Sequence, residues 1–329
     1  NNENYMWYDI ICNKGLVITM EIIKITPQGL CKGVINAINI INKTLEDKTI
    51  PRPIYMLGGL VHNDHIINAF KEQGIIVLDD KNKTRLELLD EIPNGQGTVI
   101  ITAHGVGDKV IEKVKEKGLF IVNATCKDVT KTHNLIKHAL QEGKKVLYYG
   151  KNNHPETEGT LLISNEIILI EDNFNLEDLP EITTPVILTN QTTMSYLDCY
   201  RIYQKLLTKY PQLELLEEVC SATRLRQEAV IRQAGQAQLC LVVGDKKSNN
   251  TQKLVEMVLK YTNSECIKIQ SVEDLNDIDL DKYSSISITA GASTPKAIVN
   301  EIIETLRVYP KIKKPFKTKL KGLDYLQYR

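Results

Sequence analysis

Three cysteines, Cys31, Cys126 and Cys220, recur at intervals of 95 and 94 residues, and each heads a segment of helical character. A period this long constrains the fold more than any local motif, because it reports one structural unit used repeatedly. Other marks keep the same beat. An apolar run ending in a glycine loop recurs at Gly58, Gly150 and Gly244, and one ending in a threonine loop at Thr102, Thr189 and Thr289. The chain reads as three copies of one α/β unit, each supplying a thiol.

The period sets the expected limits. They are an N-terminal extension over 1–19, α/β lobes over 20–115, 116–212 and 213–306, and a basic C-terminal tail over 307–329. Short apolar runs such as Ile54–Leu57, Val99–Ile101, Leu119–Val122, Val186–Leu188 and Leu239–Val243 read as buried strands. Val34, Ile35, Ile38, Ile41 and Leu45 fall at helical spacing. Strands alternating with helices predict three pseudo-equivalent α/β lobes with small, mainly parallel sheets. The tail reads as solvated or partly ordered.

Composition narrows the function. The 41 basic residues balance the 41 acidic ones, so nothing draws the chain generally to nucleic acid or an anionic membrane. No apolar run approaches the roughly 18 residues of a spanning helix. Residues 1–19 lack the basic region and apolar core of a secretory signal, so a cytoplasmic protein is the expectation. Seven cysteines without a CxxC pair exclude zinc ribbons, thioredoxin-type motifs and ordinary ferredoxin spacing.

Cys12, Cys199, Cys240 and Cys266 lack the periodic context and read as inert thiols. Cys31, Cys126 and Cys220 each open a helix, where backbone N–H groups favour thiolate. Three such thiolates suit a metal site on a pseudo-threefold axis. On spacing alone both zinc, completed by His or water, and an iron–sulfur cluster stay open.

Ligands in parallel sheets sit beyond the carboxyl ends of the strands. The loops at that position carry His62, His104, His154, Glu156, Gln191, Thr192, Ser248, Asn250 and Ser293, which are expected to ring one place. His65 belongs to the helix after His62, and His133 and His138 to the helix after Cys126. Three imidazoles at one locus suit a metal or an anion, and with the neutral donors they suit phosphate, held by side chains without ATP or magnesium. Glu156 beside a buried anion would keep its proton and deliver it. A plain helix-capping role for Glu156 or Glu158 fits the sequence equally well.

Several segments together resemble the LytB/IspH family over about residues 20–306. They are Gly29-Leu-Cys31-Lys-Gly33-Val34, Val61-His62-Asn63, Ala103-His104-Gly105-Val106, Ala124-Thr-Cys126, His154-Pro-Glu156-Thr-Glu158-Gly-Thr160, Gln191-Thr-Thr193, Arg226-Gln-Glu228-Ala229 and Thr289-Ala-Gly-Ala-Ser293. The resemblance implies lobes around one central [4Fe–4S] cluster per chain, with three cysteine ligands, Cys31, Cys126 and Cys220. It implies a diphosphate pocket from His62, His104, His154, Ser248, Asn249, Asn250 and Ser293, with Glu156 and Thr192 handling the proton. The implied reaction converts 4-hydroxy-3-methylbut-2-enyl diphosphate to isopentenyl and dimethylallyl diphosphates, the last step of the non-mevalonate isoprenoid pathway. Electrons would come from an external donor of ferredoxin or flavodoxin type. Two positions depart from the family pattern: Lys127 stands where proline often follows the cysteine, and Asn249 replaces the second serine of a Ser-Ser-Asn motif. A zinc hydrolase and a non-catalytic iron–sulfur regulator are the other classes compatible with the thiols.

Overall fold

The computed structural model describes residues 5–6, 20–216, 219–309, 311–312 and 314–328. Cys12, most of the expected 1–19 extension, and Glu217 and Glu218 before the third thiol lie outside the described residues.

The repeat is visible in the order of elements. β1 (Tyr5–Met6) and β2 (Glu21–Lys24) precede α1 (Lys32–Glu46), followed by β3 (Ile54–Leu57), α2 (Asp64–Glu72), β4 (Ile76–Leu78), α3 (Arg85–Asp90), β5 (Thr98–Ile101) and α4 (Asp108–Glu116). Next come β6 (Phe120–Asn123), α5 (Lys127–Gln141), β7 (Lys145–Tyr149), α6 (Pro155–Leu161), β8 (Ile168–Ile170), β9 (Val186–Asn190) and α7 (Tyr196–Leu207). The last stretch holds β10 (Leu213–Leu215), α8 (Ser221–Gln233), β11 (Leu239–Val243), α9 (Asn249–Tyr261), β12 (Glu265–Ile269), β13 (Ser285–Ala290) and α10 (Lys296–Val308).

The strands form three small sheets, ordered β1-β2-β13-β11-β12, β4-β3-β5-β6 and β10-β9-β7-β8. Every pairing is parallel except β1 with β2. The α/β class and the small, mainly parallel sheets are as expected. Strands such as β3, β5 and β11 are buried at every position, which is why they read as unbroken apolar runs.

Sheet membership is offset from the sequence repeat by one strand. The strands leading to Cys31, Cys126 and Cys220 are β2, β6 and β10, and they pair with β13, β5 and β9. Each therefore completes the sheet of another copy instead of opening its own. The reason lies in the crossovers: α4 and α7 return the chain to the slot beside the strand it just left. β2 fills the equivalent slot beside β13.

The chain divides into two compact units. One comprises Asn1–Cys31, His62–Ala69 and Ala222–Arg329 and contains the β1-β2-β13-β11-β12 sheet; the other comprises Lys32–Val61 and Phe70–Ser221 and contains the remaining two. In the first unit Leu239, Leu241, Val243, Ile286 and Ile288 pack with Ile298, Ile302 and Leu306 of α10. In the second, Leu147, Tyr149 and Leu188 pack with Cys199, Ile202 and Leu206 of α7, and Leu57, Val99 and Ile101 with Val110 and Val114 of α4.

The tail is ordered at a few anchors while many of its described residues stay exposed: Phe316 and Tyr325 are buried in the core of the first unit. Lys314 Nζ donates to the carbonyls of Asn276 and Ile278, and Thr318 N donates to Glu273 Oε1 at 2.7 Å. Lysine-rich composition hid this, because two aromatic anchors at about 1.5–3 kcal/mol each outweigh the charges around them. Among the described residues no helix is long and apolar enough to cross a membrane.

Candidate active site

Each periodic thiol sits where a strand runs into a helix. Cys31 immediately precedes α1, Cys126 is the N-cap residue of α5, and Cys220 immediately precedes α8. Their backbone N–H groups donate to Ala292 O, Ala103 O and Thr192 O, at 3.0, 3.0 and 3.4 Å. The acceptor lies in a threonine loop every time, so the shared beat of cysteines and threonines is a physical tie within each sheet.

The three thiols are half-buried, and none of the described cysteines is in a disulfide. Helix starts favour the thiolate that a metal requires. The other described cysteines differ. Cys199 is buried in the core of the second unit. Burial pushes the Cys240 thiol up to about 11. Burial, with the neighbouring Cys240 adding to it, pushes Cys266 up to about 12. Accessible thiols at helix starts fit iron–sulfur or zinc ligation; apolar-shielded ones do not.

Glu156 is the second position of α6 and is only 2% exposed. Its Oε1 accepts from Thr192 N at 2.7 Å and its Oε2 from Thr192 Oγ1 at 2.9 Å. Burial raises its pKa to about 7, the Thr192 hydrogen bonds oppose the rise, and the Asp128 charge adds to it. A simple capping role does not account for a buried carboxyl tied to a residue 36 positions away. Thr192 also lines a cleft of about 410 Å³ with Asp128, Lys131 and Cys220.

The second unit also holds two of the histidines. His154 is the N-cap of α6, and its Nδ1 accepts from Glu156 N at 3.2 Å. That bond leaves the proton on Nε2, the tautomer that donates to an anion. His104 lies edge-on to it, with ring centroids 5.5 Å apart.

The first unit holds His62, Ser248, Asn249, Asn250 and Ser293. Ser293 Oγ donates to His62 O at 3.2 Å. Ser248 is the N-cap of the 13-residue α9, its Oγ accepting from Thr251 N at 3.2 Å. Its O–H proton stays available to an anion, as does the helix dipole. Asn250 Oδ1 accepts from Ala292 N, and its Nδ2 donates to Thr223 Oγ1. Asn249 is buried in the first turn of α9. The expected residues thus fall into two groups, one in each unit.

Sequence reading missed the residues that hold these groups in place. Arg85 donates to Glu158 twice, from its backbone N to Oε1 (2.8 Å) and from Nη1 to Oε2 (2.6 Å). This half-buried pair ties the helix carrying Glu156 to the start of α3. Asp245 accepts from Asp64 N (3.1 Å) and Lys247 N (2.8 Å), joining the His62 and Ser248 loops. Thr251 fills the space against Gly244 and Gly291: a Cβ on either would stand 2.3 or 2.2 Å from its Oγ1. Gln191, which the sequence did place in the ring, is fully buried and plays a holding part: it accepts from Lys151 N and donates to Thr193 Oγ1. His133, expected as an ordinary helix residue, is buried against Thr160 at 3.3 Å, and burial lowers its pKa to about 4. Only the Glu158 and Gln191 segments carried a signal, through the motifs containing them.

A family model described as LytB protein matches residues 22–307. The 4-hydroxy-3-methylbut-2-enyl diphosphate reductase of Macrococcus caseolyticus is 46% identical over 293 residues, covering 88% of this chain and 90% of that protein. The protein of that name from Halalkalibacterium halodurans is 44% identical over 291 residues, covering 88% and 91%. Among solved structures, the E-1-hydroxy-2-methyl-but-2-enyl-4-diphosphate reductase of Plasmodium falciparum is similar with a TM-score of 0.79 and 30% identity, covering 88% of each chain. A family model matched from the first buried strand to the last helix of the repeat, with relatives this similar, is decisive: the chain belongs to the LytB protein family.

Proposed function

We propose that the chain reduces 4-hydroxy-3-methylbut-2-enyl diphosphate to isopentenyl and dimethylallyl diphosphates, the last step of the non-mevalonate isoprenoid pathway. The names of its relatives support the substrate. The observation that carries the chemistry is the doubly hydrogen-bonded pair of Glu156 and Thr192, in which the buried carboxyl sits behind Thr192 and Thr192 lines a cleft with Cys220.

The reaction breaks the C–O bond of the allylic alcohol and forms a C–H bond. It consumes two electrons and two protons and releases water. Cys31, Cys126 and Cys220 would hold a [4Fe–4S] cluster in this reading. When bound, that group would supply single electrons and Lewis acidity at the substrate hydroxyl. His62, His104, His154, Ser248, Asn249, Asn250 and Ser293 bind the diphosphate and orient the hydroxyl. Glu156, protonated near neutral pH, passes its proton through the Thr192 hydroxyl to the departing oxygen, which leaves as water. The second proton goes to the allylic carbon framework, and its two possible positions give the two products. The sequence carries no flavin or nucleotide fingerprint, so electrons come from a separate carrier of ferredoxin or flavodoxin type. A cytoplasmic site of action belongs to the same reading.

The test is iron and sulfide analysis of anaerobically purified protein, coupled to a reductant-dependent assay with the diphosphate. About four irons per chain and turnover are expected. Cys126→Ser removes both, whereas Cys240→Ser keeps both. Bound zinc without iron would replace this reading with a hydrolase, and a full iron complement without turnover would replace it with a regulator.

A further inference from the structure

The family match ends at residue 307, yet the chain continues and folds back on the first unit. The returning segment is strongly held. Asn276 Oδ1 accepts from Phe316 N at 2.7 Å and Asn276 Nδ2 donates to Phe316 O at 2.9 Å. Thr318 Oγ1 and Lys319 N donate to the Glu301 carboxylate at 2.7 and 2.6 Å. A short 3-10 turn, Gly322–Leu326, then delivers Tyr325. Its ring stacks on the imidazole of His65, with centroids 4.6 Å apart and planes inclined at 19°. The Tyr325 hydroxyl donates back to Leu320 O at 3.2 Å, which sets the ring's orientation.

His65 stands in the first turn of α2. Asn63 caps that turn, its Oδ1 accepting from Ile66 N at 3.2 Å, and His62 directly precedes the cap. Contacts holding the His62 loop include Ser293 on its carbonyl, Asp245 on the Asp64 N–H, and Tyr325 on His65. The first two lie within the family-matched segment, and the third is supplied by the tail.

We infer that Tyr325 is a positioning residue for diphosphate binding, holding His62 in place through its stack on His65. The inference rests on the reading of His62 as a diphosphate ligand. An aromatic stack ordering this turn lowers the ordering cost that binding must otherwise meet. Its loss weakens the bound state and leaves the chemistry, which belongs to Glu156 and Thr192, untouched.

The experiment uses the anaerobically purified full chain and two readouts: titration with inorganic pyrophosphate, and steady-state KM and kcat for the diphosphate substrate. Tyr325→Leu keeps an apolar side chain in the core but removes the flat ring. It is expected to raise both Kd and KM by roughly two- to tenfold with kcat unchanged. Tyr325→Phe keeps the stacking ring but loses the hydroxyl tie that orients it, so its affinity is expected to fall between those of the parent protein and Tyr325→Leu. In a His65→Ala background, Tyr325→Leu is expected to have no further effect on Kd. Unchanged pyrophosphate affinity in Tyr325→Leu, or an equal loss in the His65→Ala background, overturns the positioning role. Loss of thermal stability alone would mark the tail as merely structural and overturn it too. A parent protein that turns over but binds no pyrophosphate overturns this inference while sparing the reaction; one that does neither removes the functional reading itself.

Discussion

Thr192 gives both of its donors to one carboxyl group: its backbone N–H to Glu156 Oε1 at 2.7 Å and its hydroxyl to Glu156 Oε2 at 2.9 Å. Two hydrogen bonds to the charged form would ordinarily lower a carboxyl pKa. Here burial outweighs them, and the group titrates at about 7. The pair thus exchanges a proton near neutral pH, with Thr192 standing between the carboxyl and the cleft.

In the proposed reaction turnover depends on the protonated form of Glu156, so kcat is expected to fall as pH rises through about 7. Glu156→Gln is expected to stop turnover without changing iron content. The stability consequence has a definite sign. The folded pKa is raised above the ordinary 4.5, so the folded state binds more protons than the unfolded state between those values. The contribution is fully present below pH 4.5 and is lost as pH rises through 7. Glu156→Gln removes that loss, so its melting temperature relative to the parent should be higher at pH 8 than at pH 5. Thermal scans at both values check this, and an equal offset would show that Glu156 is not a raised carboxyl.

Thr192→Val removes the hydroxyl donor but keeps the backbone N–H. One of the influences lowering the Glu156 pKa disappears, so the alkaline limb of the kcat profile should move to higher pH. The maximal rate should fall by roughly 10²–10⁴-fold, the range for losing a positioned proton-transfer group. Thr192→Ser should retain most of the rate. The pH–rate profiles of the two variants separate proton routing from packing.

The Arg85–Glu158 pair holds α6, and hence Glu156, against the start of α3. Its side chains are 11% and 21% exposed, so removing one partner strands a poorly solvated charge. Arg85→Met is expected to cost on the order of 3 kcal/mol in denaturant unfolding. Replacing both residues with apolar side chains should recover much of that stability. A loss below about 1 kcal/mol in Arg85→Met would place the pair among ordinary surface bridges.

Gly244→Ala tests the packing beneath the Ser248 loop. The new Cβ would meet Thr251 Oγ1 at 2.3 Å, with Thr251 Cγ2 at 2.8 Å behind it. Overpacking of this kind costs about 1–3 kcal/mol. Thr251→Ala removes both clashing atoms, so the double variant should be more stable than Gly244→Ala alone. A double variant no better than the single one would locate the strain elsewhere.

Much of this protein was legible along the chain. The period of Cys31, Cys126 and Cys220 and the apolar runs of β3, β5 and β11 announced repeated α/β units, because strands buried on both faces leave no polar alternation to blur them. That these three thiols stand at helix starts was also legible, because a helix start is a local property. Which sheet each thiol's strand joins was not. β6 pairs with β5, and β2 with β13 at the opposite end of the chain, and both choices follow from crossover geometry and open sheet edges. The distinction between Glu156 and Glu158 was likewise tertiary. The two carboxyls stand two residues apart on one short helix, yet one meets Thr192 in a buried wall and the other a guanidinium. The tail shows the same limit: its lysines describe its surface, while the stack of Tyr325 on His65 arises only once α2 and the 3-10 turn meet. Local sequence determines which groups can do chemistry; folding decides which partner each receives, because burial and long-range contacts set charge, orientation and pKa together.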